Sequence, residues 1–178
     1  VRVEVFVLRA LDLATGLGLF AAGLRIVESV LTLPAAFSAG TLPALTREGI
    51  ARDRRPGAAQ RLLGLLAWGG IPAAVGLFMR APEVLDLLGP GFGAAAPVLR
   101  IFAVTLGLCV LNTGLHYVLV ATARPQILPR FTAMRVGAGL LFAVLLIPRR
   151  EAVGAALGYA ASEAFLRLLL LRAAKSSV

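Results

Sequence analysis

The chain has 178 residues, 59% hydrophobic and only 15% charged, with a formal net charge of +9 and a mean hydropathy of +0.89. Soluble domains are about 25% charged and roughly 45–50% apolar, whereas this chain reaches about 70% apolar with its glycines, more greasy surface than a soluble core of this size could hide. One cysteine and one histidine exclude a disulfide framework or a zinc cluster within the chain. Basic residues scattered between apolar runs, with few aromatics, speak against a nucleic-acid partner, and no motif calls for a metal or cofactor.

A bilayer core of about 30 Å takes roughly 20 mostly apolar helical residues. On that rule the pattern predicts an all-α polytopic transmembrane bundle with five full spans, at 16–45, 62–80, 97–122, 128–148 and 151–172, preceded by a partial hydrophobic segment at 1–13. The uncharged runs Ser29–Thr46, Leu62–Met79 and Ile101–Ala123 carry this reading most strongly. The chain begins at Val1 inside an apolar stretch, VRVEVFVLRALDL, with neither the basic start nor the cleavage site of a secretory signal. The expectation is a fragment of a longer protein, with residues 1–178 as one bundle.

The first full span holds Arg25 and Glu28, the only charged residues between Gly16 and Thr46. An ionisable group in a membrane-length helix costs roughly 2.5–3.5 kcal/mol on insertion scales, so it is rare unless it faces a bundle interior or a wet cavity. A spacing of three puts the two on one helical face, where they can partly neutralise each other. Pro34, Pro43 and the cluster Gly69, Gly70 and Pro72 fall at membrane depth in the first two spans. Such breaks either shape packing or make hinges between inward-open and outward-open states, which makes Pro34, Gly69, Gly70 and Pro72 the hinge candidates.

Between these spans the segment 47–61, TREGIARDRRPGAAQR with the preceding Thr46, carries Arg47, Arg52, Arg54, Arg55 and Arg61 against Glu48 and Asp53. The positive-inside rule makes it cytoplasmic. The connection 81–96, with Glu83 and Asp86, is then external; Arg124 and Arg130, and later Arg172 and Lys175, return to the cytoplasm and place the C-terminus there. Arg149 and Arg150, in the tight turn before Glu151, run against this alternation.

In the third full span Thr105, Cys109, Asn112 and His116 recur at four, three and four residues and form one polar stripe. It either hydrogen-bonds to a neighbouring helix or lines a wet cavity. Arg135 interrupts the fourth span. The last holds Glu163 and Arg167, four apart and able to pair, and Gly154 to Gly158, a small-xxx-small surface that lets another helix of the chain, or of a second copy in a dimer, approach closely.

Three segments in order carry a family resemblance: RIVESVLTLPAAFSAGTLPALTR, APEVLDLLGPGFGAAAPVLRIFAV and LIPRREAVGAALGYAASE. They resemble the polysaccharide-flippase (Wzx-like) branch of the multidrug/oligosaccharidyl-lipid/polysaccharide exporter superfamily, and Glu4 falls where that family has an aspartate at mid-helix. The resemblance spans nearly the whole chain. It implies the C-terminal bundle of a two-bundle, MATE-like transporter fold, with a missing N-terminal bundle of the same chain as its partner. It also implies a non-enzymatic role: flipping of undecaprenyl-type lipid-linked sugars across the bacterial cytoplasmic membrane by alternating access, amid membrane lipids. In such a carrier the polar head group crosses a cationic cavity, where Arg25 would contact the pyrophosphate and Glu28 would orient it; Asn112, His116 and Glu163 complete the cavity candidates. The sequence departs from the family at Gly139 and Ala143, where asparagines are usual, and at Glu151, where a glycine is usual. A lipid II flippase or cation-coupled drug exporter of the same superfamily, and a non-transporting membrane scaffold for polysaccharide synthesis, remain alternatives.

Overall fold

Alanine and leucine dominate the long uncharged runs, and both are strong helix formers; where no water can satisfy backbone groups, a helix also satisfies them internally. The computed structural model describes residues 3–51, 57–89, 91–121 and 128–175, and every regular element among them is helical. These are α1 (Val3–Ala10), α2 (Ala14–Ala51), α3 (Ala58–Met79), α4 (Ala81–Asp86), a 3-10 turn (Phe92–Ala95), α5 (Ala96–Ala121) and α6 (Leu128–Lys175). Four helices among the described residues are long and apolar enough to cross a membrane: Ala14–Leu45, Gln60–Met79, Phe92–Val120 and Leu128–Arg172.

The fourth of these corresponds to two of the expected spans. A straight helix over its 45 residues would run about 68 Å, more than twice the bilayer core. It does not run straight, because Glu151 has φ 44° and ψ −121°, far from helical values. There the chain folds back: a Cβ on Gly154 would collide with the carbonyl of Leu146, Gly158 lies against Ala143 and Phe142, and Gly139 lies against Ser162. The result is an antiparallel pair of arms, 128–150 and 151–175, joined with almost no loop, and the small-xxx-small surface is used within the chain.

The prolines do not break their helices. Pro34 and Pro43 lie inside α2 and Pro72 inside α3. Near the first two, the buried Ser38 hydroxyl donates to the Pro34 carbonyl at 2.7 Å and Thr41 donates to the Ser38 carbonyl at 3.0 Å. Both hydroxyls are thereby satisfied without water. The segment 47–61 is partly helical, since α2 continues to Ala51 and α3 begins at Ala58; residues 52–56 lie outside the described residues. The connection 81–96 is built from α4 and the 3-10 turn, linked through Gly89 and Gly91 at positive φ. In α4's first turn Glu83 is held below the usual carboxylate range, first by a bond from its own backbone N–H and then by Arg80, 3.1 Å away.

The bundle is organised around α5, which packs against α2, α3 and α6. Its spanning window is 56% buried, against 22% for α3. Close approach is set by small residues: Gly23 of α2 faces Phe102 and Val98, Gly70 of α3 faces Val110, and Gly114 of α5 faces Leu63 and Leu66. Phe20, Phe102 and Tyr159 form an edge-to-face chain, with centroids 5.3 and 5.6 Å apart, that joins α2, α5 and the second arm of α6. A second cluster, Leu115, Leu119, Leu128 and Leu170 with Leu63 and Phe131, gathers the start of α3, the end of α5 and both termini of α6 at one end of the bundle. The Glu151 fold lies at the opposite end, against Gly16 near the start of α2. Many outward positions are apolar: Trp68 is 83% exposed, and Leu33, Phe37, Val104, Leu141 and Leu145 are also exposed. Water would penalise that arrangement, whereas hydrocarbon would not.

Candidate functional site

A polar pocket of about 480 Å³ opens between α2, α5 and both arms of α6. Its floor comes from the stripe on α5, because residues 109, 112, 113 and 116 fall on one helical face and all four line it. The facing wall is Arg135 from the first arm of α6 and Tyr159 and Glu163 from the second. The fold at Glu151 creates that wall: it returns the chain antiparallel, so that residues 16 before and 12 after it come level.

Glu163 is the hub. Its Oε1 accepts from Arg135 Nη2 at 2.7 Å, and its Oε2 accepts from Asn112 Nδ2 at 3.0 Å. The same amide also donates to the Glu163 backbone carbonyl at 3.1 Å. The two charged side chains are 24% and 7% exposed, Arg135 being the more open. The Arg135 guanidinium also lies 5.8 Å from the Tyr159 ring centroid, in cation–π range, and the Tyr159 hydroxyl approaches Cys109 Sγ at 3.6 Å. Thr105, at the top of the stripe, is buried and turns its hydroxyl to the Ile101 carbonyl at 2.8 Å. Three buried polar atoms have no hydrogen-bond partner among the described residues: Asn112 Oδ1, Arg135 Nε and Arg167 Nη1.

A second carboxylate stands behind Arg135. Glu4 of α1 is buried and shares a small void with Arg135, Gly139 and Ser162. Arg135 thus pairs with Glu163, 28 residues after it, and shares a void with Glu4, 131 residues before it.

Of the residues singled out in the sequence, Asn112, His116 and Glu163 come together in the pocket. Arg25 and Glu28 are exposed on α2 and are not among the residues lining it; Ser29 and Thr32 donate to their backbone carbonyls. Pro34, Gly69 and Gly70 meet around a separate apolar cavity of about 170 Å³ between α2, α3 and α5, while Pro72 is exposed outside it. Glu163 takes Arg135 as its ion-pair partner, not Arg167 on its own helix. Arg135 and Tyr159 were not foreseen as site residues. The available signal was Arg135 itself, a lone charge in a weak span roughly level with Glu163 across the expected turn.

The pocket falls within the apolar windows of α5 and α6, where an ionic network is costly unless its members satisfy one another. What it offers chemically is a compensated charge set, an amide, a hydroxyl and aromatic rings around a space able to hold a polar group. No family model matches the chain, and neither a curated protein nor a solved structure matches it.

Proposed function

We propose that this chain is the membrane-embedded part of a transporter that flips lipid-linked oligosaccharide or polysaccharide precursors by alternating access. The observation that carries the reading is the Glu163, Arg135 and Asn112 network beside a 480 Å³ pocket among helices of membrane length. Intramembrane ionisable groups mark substrate or ion pathways by default, and the family resemblance supplies the substrate class. With the arms of α6 counted separately, the described residues would supply five spans. Exposed Arg61, Arg130 and Arg172 cluster at the end closed by Leu119, Leu128 and Leu170, which the positive-inside rule makes cytoplasmic. Arg25, on the stripe of α2 that runs through Glu28 towards Ala35 in the pocket wall, is the proposed phosphate contact, about 15 Å along the helix from Ala35. A second bundle of the same transporter would cover that polar face.

The test is flipping of a fluorescent undecaprenyl-pyrophosphate sugar in proteoliposomes, or polymer export in a complemented strain. Export is expected to be lost with Arg25→Ala while the protein remains inserted, and reduced with Arg25→Lys, which keeps the charge but loses the bidentate fork. Undiminished export with Arg25→Lys rules out bidentate phosphate contact, and undiminished export with Arg25→Ala favours a scaffold. A cation-coupled drug exporter is a second reading, favoured by the two buried carboxylates Glu4 and Glu163; dye efflux that disappears in Glu163→Gln supports it over the flippase.

A further inference from the structure

We infer that the pocket between α5 and α6 takes an uncharged polyhydroxylated group, a neutral sugar ring, and not a phosphate. This rests on the transporter reading and assigns a part of the substrate to this site. The first argument is charge. Among the described residues Arg135 is the one cation lining the pocket; Glu163 holds it at 2.7 Å, and buried Glu4 shares a void with it. A guanidinium already paired with a buried carboxylate has little charge to spare, and an arriving phosphate would meet Glu163 as a like charge.

The second argument is the hydrogen-bond inventory. Asn112 Oδ1 lacks a donor and Arg135 Nε lacks an acceptor, and the same Glu163 carboxylate holds both residues. A sugar hydroxyl both donates and accepts, so it complements such a set. An esterified phosphate only accepts and leaves Asn112 Oδ1 without a donor. The third argument is shape. Tyr117, Tyr159 and His116 bring aromatic rings to the lining, amphipathic surfaces that suit the apolar C–H faces of a pyranose. The volume of about 480 Å³ falls within the roughly 300–1,000 Å³ usual for small-molecule sites.

The test uses the purified full chain in nanodiscs and saturation-transfer NMR with glucose, galactose and N-acetylglucosamine, with inorganic pyrophosphate as competitor. At least one neutral sugar is expected to receive saturation that pyrophosphate does not displace. Asn112→Ala is expected to weaken that binding about tenfold. His116→Ala, at an exposed position, keeps the measurement interpretable if the Asn112 variant does not fold, and is also expected to weaken binding. His116→Arg adds an uncompensated cation and is expected to admit pyrophosphate. The inference is overturned if no neutral sugar binds the folded protein, if pyrophosphate displaces the sugar from the parent, or if His116→Ala leaves binding unchanged. Flipping in proteoliposomes separates the two levels. Flipping by the assembled transporter without neutral-sugar binding sinks this assignment alone, whereas neutral-sugar binding without flipping, once the second bundle is present, sinks the transporter reading and leaves a sugar site with another role.

Discussion

Glu163 and Arg135 illustrate how much one buried pair depends on both members. Removing one partner of such a pair leaves an uncompensated charge and costs about 3–5 kcal/mol, whereas replacing both with apolar residues of similar volume is often close to neutral. Arg135→Met is therefore expected to lower the melting temperature in detergent sharply. The double variant Arg135→Met with Glu163→Leu is expected to recover most of that loss, leaving Asn112 as the residual cost. Arg25 is exposed, so Arg25→Ala is expected to change stability by no more than about 0.5 kcal/mol, and a loss of export there reads as function. At this scale the α5 stripe was legible, because periodicity on one helix fixes which side chains share a face. The partner of Glu163 was not: local spacing offers Arg167, four residues on, while the actual partner lies 28 residues back and becomes a neighbour only when α6 folds.

Glu151 is the element-scale counterpart. It sits at φ 44° and ψ −121°, a region nearly reserved for glycine that costs another residue about 1–3 kcal/mol. Glu151→Gly is expected to raise stability by about 1 kcal/mol in thermal or denaturant unfolding. The glycines of the second arm separate by what they face. Gly154→Ala drives a methyl into the Leu146 carbonyl, an unyielding backbone group, and is expected to be strongly destabilising. Gly158→Ala meets its nearest atom, the Ala143 nitrogen, at 3.4 Å and is expected to be tolerated. Sequence reasoning placed both arms within a few residues, because proline, two arginines and a small-residue run punctuate hydrophobicity there. The first span ends at Leu45 as expected, although its helix runs on. Residues 46–51 are polar enough to leave the bilayer, yet arginine, glutamate and alanine are good helix formers, so α2 continues to Ala51.

Among the described residues, Arg135 and Glu163 face inward at the pocket of α5 and α6 and many large apolar side chains face outward, as hydrocarbon requires, while Arg25 and Glu28 stay exposed on α2. Recovery in the membrane fraction after carbonate washing is the expected outcome. Arg61, in the first turn of α3, and Glu83, on α4 just past its end, mark opposite ends of that helix. In a Cys109→Ser background, Arg61→Cys and Glu83→Cys are expected to react with an impermeant thiol reagent from opposite sides of the membrane; labelling from one side would remove α3 as a span. The helical class and the membrane-length segments could be read from composition because hydrophobic length is a one-dimensional property. The pocket could not, because it depends on which faces of α2, α5 and α6 meet, and small residues far apart in the chain decide that.

Trp68 is the protein's single tryptophan and stands 83% exposed on α3, outside the lining of the polar pocket. Its light emission is thus a built-in gauge of the surrounding oil. Lipids brominated along their tails should dim it according to depth, and a sugar entering the pocket should leave it unchanged.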